Sequence, residues 1–176
     1  RYAMYIVAAG AFTSATYTTP QAQKKLVGRV AYGIEGIRNN LKFDVFNVKI
    51  EGKDVVAESE SVLVLFMNGK YVAGMGLNRH ASMTDGKIEV AIVRQRPRPN
   101  FLHRVGAYFV LAKLFLLGYR VKERRIEKLE GSHFEVTAGE GVVWNFDGER
   151  GLSGKVVVDV LPGKVNMIVP ARKKDF

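Results

Sequence analysis

Short apolar runs and alternating apolar and polar positions cover most of the chain, which predicts β-strands rather than helices. Between them lie Asn68-Gly69, Asp85-Gly86 and Pro162-Gly163, dipeptides typical of tight turns, and Gly151 and Gly154 are read as further turns. This rhythm predicts one mainly β domain, an antiparallel β-sandwich. The predicted strands cover residues 1–10, 43–50, 55–60, 61–67, 71–77, 87–93, 125–129, 133–137, 142–146, 156–160 and 165–169. Strands 61–67 and 71–77 are expected to form a hairpin through Asn68-Gly69.

Two principal helices interrupt the strands. Residues 20–39 follow the helix-start signal Thr18-Thr19-Pro20, and their apolar residues recur along one face. Residues 100–117 are apolar nearly all round, but Arg104 and Lys113 interrupt them. A membrane span needs roughly 20 predominantly apolar residues. The pattern therefore favours a helix buried against the sheet, with a lipid-contacting helix as the alternative.

Composition narrows the chemistry. The 176 residues suit a single domain with a substantial core. The absence of cysteine excludes disulfides and thiolate metal sites, which is natural in a reducing cytosol. His80, His103 and His133 are too far apart for a familiar zinc motif. Because Arg1 leads directly into an apolar run without an initiator Met or signal sequence, we expect the chain to be part of a longer protein.

Positive charge is concentrated in three clusters, at residues 94–98, 120–125 and 172–174, within a formal net charge of +10. Such clusters attract phosphate groups of nucleic acids, anionic lipids or nucleotides. Exposed aromatic residues among the basic ones, or a known reading motif, are expected of a nucleic-acid module, and neither is found. A nucleic-acid partner is therefore not expected, and solvated surface charge is the simplest alternative.

Candidate chemistry lies at the end of one apolar run, Val142 to Phe146, which is followed by Asp147, Gly148 and Glu149. A glycine that adopts positive φ lets the chain turn, so both carboxylates could face one cavity. One could then engage a cation while the other accepts a proton from a hydroxyl, as phosphoryl transfer to an alcohol requires. A plain hairpin turn is the alternative for Asp-Gly at this position.

Six separated motifs occur in a fixed order along the chain. They are Gly10-Ala11-Phe12, Lys24 to Tyr32, Asn68-Gly69, Ala81 to Val90, Asn145 to Glu149, and Val165 to Pro170. Together they resemble the C-terminal domain of the bacterial diacylglycerol kinase and lipid kinase family, which is related to the sphingosine kinases. The resemblance covers essentially the whole chain.

This resemblance implies a two-domain enzyme of which residues 1–176 form the C-terminal part. The N-terminal domain of the family binds ATP through a Gly-Gly-Asp-Gly-Thr loop, which this chain lacks, so we expect the isolated chain to be inactive. Glu149 is implied as the proton acceptor for a diacylglycerol-like lipid, with Asp147 as its partner near the metal and phosphates. The resemblance further implies a cytoplasmic protein at the membrane periphery, in a family compatible with homodimers.

A magnesium site is implied by the same resemblance, with the Asp85 carboxylate and the carbonyl oxygens of Ser82 and Lys87 as ligands. Hard cations prefer such oxygen ligands, and carbonyls impose no side-chain type. The alternative is that Asp85 only caps a backbone N–H in a turn.

A non-enzymatic β-sandwich that binds anionic lipid or nucleic acid is the competing function. In such a module Glu149→Gln should be harmless, whereas loss of Arg96 or Arg98 should be damaging, with steep salt dependence.

Overall fold

The computed structural model describes residues 1–11, 43–72 and 74–166, and this part of the chain contains nine β-strands and one α-helix. The strands are β1 (Ile6–Gly10), β2 (Phe46–Gly52), β3 (Val56–Met67), β4 (Ile88–Arg94), β5 (Ile126–Gly131), β6 (His133–Ala138), β7 (Val143–Phe146), β8 (Glu149–Ser153) and β9 (Val156–Asp159). Helix α1 covers Phe101–Leu117. The predicted mainly β, sandwich-like class is confirmed, and the helix predicted over residues 20–39 lies outside the described residues.

The strands form a sheet with the order β8-β7-β1-β3-β2-β6-β9, and β4 also pairs with β3 and β5. All these pairs are antiparallel, as predicted. The first half of β3 pairs with β2, and its second half pairs with both β1 and β4. Strand β3 is therefore the centre of the fold.

Two hydrophobic cores lie on the two faces of β3, because side chains alternate along a strand. Val64 and Phe66 belong to one core, and Leu63, Leu65 and Met67 belong to the other. The first core is closed by aromatic rings of other strands. The second core is closed by α1, whose buried residues are Ala107, Val110, Leu111 and Leu114.

Helix α1 has the predicted boundaries and the local signals that set them. The Asn100 side chain accepts a hydrogen bond from the His103 N–H at 2.9 Å, which caps the first turn. Gly118 ends the helix with φ 85°, a conformation that favours glycine. The prediction of a helix packed on the sheet is confirmed for its inner face.

Two strand predictions around β3 are wrong. Residues 56–67 form one strand, β3, and not two. Its charged first half has one exposed face, and its apolar second half is buried on both faces, so the change of pattern along β3 resembles a boundary between strands. The described residues of the range 71–77 are not in a strand, and an isolated bridge joins Val72 and Met75. The groups of Asn68 bind the chain before β1 instead: its N–H donates to the Tyr5 carbonyl at 2.9 Å, and its side-chain amide donates to the Met4 carbonyl at 3.0 Å. The next strand along the chain that pairs with β3 is β4.

Strand ends also differ from the prediction. Strand β1 starts five residues later than predicted, and residues 165–166 are not in a strand, while the rest of 165–169 lies outside the described residues. Gly151, read as a turn, lies inside β8. A Cβ atom at Gly151 would lie 2.1 Å from the Phe146 ring and 2.9 Å from the Trp144 carbonyl oxygen, so this glycine permits close packing.

We expect Gly151→Ala to destabilise the protein by about 1–3 kcal/mol, because the added methyl group overlaps the Phe146 ring. Gly139→Ala is the matched control, since its nearest neighbour to a Cβ atom is 3.8 Å away. Thermal unfolding of the intact protein should show a lower midpoint only for Gly151→Ala. Equal midpoints for the two variants would contradict the packing assigned to Gly151.

Candidate functional site

The predicted acid motif forms the tight turn between β7 and β8. Phe146 pairs with Glu149 across the hairpin, which leaves Asp147 and Gly148 as the two turn residues. Their φ angles are 52° and 96°, as a two-residue turn with positive φ at both positions requires. The Asn145 side chain accepts a hydrogen bond from the Gly148 N–H at 2.8 Å and so holds the turn from inside. The hairpin turn named as the alternative for Asp-Gly is therefore present, and the catalytic role of the two carboxylates stays a prediction.

The base of this hairpin is anchored in the core by Trp144. Its ring is fully buried and contacts the Phe66 ring edge to face, with centroids 6.2 Å apart. The indole N–H donates to the Gly154 carbonyl at 2.9 Å, so the buried polar atom is satisfied. The turn is therefore presented by a rigid element rather than by a long loop.

The Asp147 carboxylate binds three consecutive backbone amides ahead of and at the start of β1. Its Oδ2 accepts from the Met4 N–H at 2.5 Å, and its Oδ1 accepts from the N–H groups of Tyr5 and Ile6 at 2.9 and 2.8 Å. The Asp147 N–H in turn donates to the Ile6 carbonyl at 3.0 Å. These bonds fasten the turn to the neighbouring strand and explain why β1 begins only at Ile6.

Glu149 directs its carboxylate outward, where its side chain is 77% exposed, and pairs with the Arg1 guanidinium. Arg1 also donates to the Arg150 carbonyl at 2.9 Å and lies over the Phe146 ring, 5.4 Å from its centroid. The two predicted carboxylates thus have different partners. Asp147 contacts backbone amides, and Glu149 is accessible to solvent beside a cation.

Arg1 is the member of this site that sequence reasoning missed. It contacts Glu149 across 148 positions of the chain, and no local pattern indicates such a contact. An antiparallel pairing of β1 with β7 could have suggested it, since that pairing places the chain before β1 beside the β7–β8 turn. The position of Arg1 beside Glu149 depends on the hydrogen bonds between Asp147 and residues 4–6. These bonds also join residues more than 140 positions apart in the sequence.

The predicted magnesium ligands lie together in the loop before β4. Asp85 is exposed, and its Oδ1 accepts from the Lys87 N–H at 3.0 Å, so the turn cap exists. The Ser82 hydroxyl contacts the Thr84 hydroxyl at 3.1 Å, and the Lys87 ammonium pairs with Glu130 at 2.7 Å. That hydrogen bond raises the pKa of Lys87 above its ordinary value.

The Glu89 carboxylate lies at the start of β4, just after this loop. Burial raises the pKa of Glu89 most, although its hydrogen bond from Asn78 at 2.9 Å opposes the shift, and the charges of Asp85 and Glu130 raise it further. The pKa of Glu89 is therefore raised mainly by burial, and the neighbouring carboxylates contribute less.

By chemical type, the predicted donor set is one that hard cations prefer, and the magnesium site stays a prediction. It offers one carboxylate and two loop carbonyl oxygens, which suits Mg²⁺ with water completing its shell. No group of three or more His, Cys, Asp or Glu side chains that could hold a metal occurs among the residues described. A pocket of about 240 Å³ elsewhere is lined by Glu51, Gly52, Lys53, His133 and Glu135, and includes none of the predicted site residues.

Similar proteins are longer than this chain, which matches only part of each of them. It is 26% identical over 167 residues to a Xanthomonas euvesicatoria protein named "Probable lipid kinase YegS-like", covering 93% of this chain and 52% of that protein. It is 23% identical over 183 residues to the Bacillus subtilis diacylglycerol kinase, covering 99% and 56% of the two chains. The chain therefore spans about half the length of these relatives.

A solved structure has the same fold. A Bacillus anthracis protein described as a "putative diacylglycerol kinase" superposes with a TM-score of 0.65 at 22% identity, covering 91% of this chain and 50% of that one. The model of the YegS C-terminal NAD kinase beta sandwich-like domain matches residues 5–169, nearly the whole chain. The chain thus belongs to the YegS C-terminal NAD kinase beta sandwich-like domain family.

Proposed function

We propose that this domain supplies the acid motif of an ATP-dependent lipid kinase that phosphorylates a primary hydroxyl of a diacylglycerol-like lipid. The observation that carries the proposal is the accessible Glu149 carboxylate at the end of a rigid hairpin. Relatives named as lipid and diacylglycerol kinases support the reaction class. They are about twice as long as this chain, so the proposal concerns the intact protein.

In this reaction the lipid hydroxyl oxygen bonds to the γ-phosphorus of ATP while the bond from that phosphorus to the β,γ-bridging oxygen breaks. ADP leaves, and the hydroxyl proton passes to the Glu149 carboxylate. A positioned base of this kind contributes typically 10²–10⁴-fold to such a step. Asp147 sets the position of Glu149, since its three amide bonds hold the turn against β1.

ATP binding is assigned to a second domain, since no glycine-rich phosphate loop occurs in this sequence. Mg²⁺ is assigned to the loop of Ser82, Asp85 and Lys87, where a bound cation would neutralise the Asp85 carboxylate and stiffen the loop. The contact of Asp147 with a metal or phosphate stays a prediction. Cytoplasmic location, peripheral contact with a membrane and a homodimer belong to the same proposal.

Asp85→Asn separates the metal role from the turn role. An amide oxygen can still accept from the Lys87 N–H, so the turn should survive. The anionic ligand is lost, however, and we expect the intact kinase to require on the order of tenfold more Mg²⁺ for half-maximal activity. Asp54→Asn, at another exposed turn carboxylate, is the control. Superimposable magnesium titrations for wild type and Asp85→Asn would leave only the turn.

The reaction itself is tested on the intact protein with labelled ATP and a panel of lipids that carry free hydroxyls. Diacylglycerol, a sphingoid base, an isoprenoid alcohol and phosphatidylglycerol each present a hydroxyl next to an apolar tail. We expect label to be transferred to diacylglycerol in preference to the others. Failure to label any lipid, in a protein that binds ATP, would refute the proposed function.

A further inference from the structure

The outward side of α1 exposes an unusual amount of apolar surface. The outer face of α1 consists of Leu102, Val105, Phe109, Ala112 and Leu116, which recur at alternating steps of three and four residues. Leu102, Phe109 and Leu116 are 75%, 66% and 78% exposed. Because residues at this spacing share one helix face, they form a continuous apolar stripe opposite the side that packs on the sheet. Large exposed apolar patches mark contact sites.

Positive charge borders both ends of this stripe. Arg96 and Arg98 precede the helix, Arg120 and Lys122 follow it, and all four side chains are exposed. Residues 94–125 contain nine of the 27 Lys and Arg residues and one of the 17 Asp and Glu residues, so the rest of the chain is nearly neutral. The net positive charge is therefore carried by α1 and its borders.

The one acidic residue of this segment, Glu123, is neutralised locally. Its carboxylate accepts a hydrogen bond from the Lys113 ammonium at 2.9 Å, which lowers the pKa of Glu123. Lys113 lies at the margin of the outer face. The apolar stripe thus faces outward without a carboxylate to repel an anionic surface.

We propose that α1 docks onto the surface of an anionic lipid bilayer, with its outer face among the acyl chains and the bordering arginines and lysine at the headgroups. An apolar stripe bordered by cations fits the polarity profile of such a surface, whereas a polar protein partner would leave the stripe poorly matched. No helix in the described ranges 1–11, 43–72 and 74–166 is long and apolar enough to cross a membrane. The geometry is that of a helix lying in the membrane plane.

The benefit of this docking for catalysis rests on the proposed function. A diacylglycerol-like lipid stays in the bilayer, so a docked enzyme meets its substrate by diffusion in two dimensions. The docking surface itself requires no catalysis, and it can be measured without ATP.

The test uses the intact protein and sedimentation with vesicles of phosphatidylcholine alone or mixed equally with phosphatidylglycerol. We expect binding to the mixed vesicles, weakened by salt. The double variant Phe109→Ser/Leu116→Ser should lower vesicle partitioning by roughly tenfold or more, since two large side chains no longer enter the bilayer. A second variant that combines Arg96→Gln, Arg98→Gln, Arg120→Gln and Lys122→Gln should lower vesicle partitioning by a similar factor, but only on the anionic vesicles.

Matched controls lie elsewhere on the surface. Leu161→Ser removes an exposed leucine, and Lys53→Gln with Lys164→Gln removes two exposed lysines, so none should change partitioning by more than about twofold. Both α1 variants should still phosphorylate a short-chain, water-soluble diacylglycerol at the wild-type rate.

Unchanged vesicle binding in both α1 variants would overturn the proposal. A change of oligomeric state in Phe109→Ser/Leu116→Ser without loss of binding would overturn it too, and would assign the face to a second copy or another part of the protein. Vesicle binding that depends on α1, in a protein that phosphorylates no lipid, would instead leave the docking surface intact and refute the proposed kinase activity. The two failures are therefore distinguishable.

Discussion

Glu149→Gln in the intact protein is expected to lower the rate of phosphoryl transfer to a lipid hydroxyl by roughly 10²–10⁴-fold. The amide keeps the size and exposure of the side chain but cannot accept the hydroxyl proton. Arg1 retains its bond to the Arg150 carbonyl and its contact with Phe146, so the hairpin should keep its shape. The measurement is kcat with a water-soluble diacylglycerol, which makes the result independent of membrane binding.

Glu140→Gln provides the control for this prediction, because Glu140 is an exposed glutamate in the loop before β7. Its kcat should match that of the wild type. Wild-type kcat in Glu149→Gln would be incompatible with Glu149 as the base. A protein that phosphorylates no lipid but loses vesicle binding in Arg96→Gln or Arg98→Gln would instead favour the non-enzymatic lipid-binding module.

Local signals allowed the correct prediction of the parts of the fold that depend on neighbouring residues. The Asp147-Gly148 turn needs positive φ at both positions, and Asp-Gly is a dipeptide that tolerates it. Helix α1 has an Asn100 cap and a Gly118 end, both visible in sequence. The apolar outer face was visible as well, but periodicity alone cannot tell which side of an all-apolar helix packs on the sheet.

Contacts between distant residues decided the parts that were mispredicted. Asn68-Gly69 has hairpin chemistry, yet the Asn68 groups bind Met4 and Tyr5, more than 60 positions away. Gly151 resembles a turn residue, but it is required by the Phe146 ring that packs against it. The candidate site divides in the same way: its two carboxylates were identified from the motif, and the partners that distinguish them, Arg1 and the amides before Ile6, were not.

Asp147 is expected to act mainly as a clamp between the β7–β8 turn and β1, and three substitutions separate its contributions. Asp147→Gly keeps a residue that tolerates φ near 52° but removes the three amide bonds. Asp147→Ala removes the bonds and adds strain of about 1 kcal/mol in the left-handed region. Asp147→Asn tolerates the turn, and its oxygen can still accept from the Tyr5 and Ile6 N–H groups, so it should be the mildest.

The exchange rates of the Met4, Tyr5 and Ile6 amide hydrogens measure the strength of this clamp. Hydrogen exchange in the intact protein should accelerate in residues 4–6 by roughly tenfold or more for Asp147→Gly and Asp147→Ala, because a lost bond to a charged group costs about 1.5–3 kcal/mol before solvent screening. In Asp147→Asn, residues 5 and 6 should stay close to the wild type, whereas the Met4 amide, which loses its acceptor oxygen, should exchange faster. Kinase activity should follow the same order if Asp147 acts only by positioning Glu149. If Asp147→Asn instead loses activity while the amides of Tyr5 and Ile6 remain protected, the carboxylate charge itself is needed, which assigns Asp147 a contact with metal or phosphate as well.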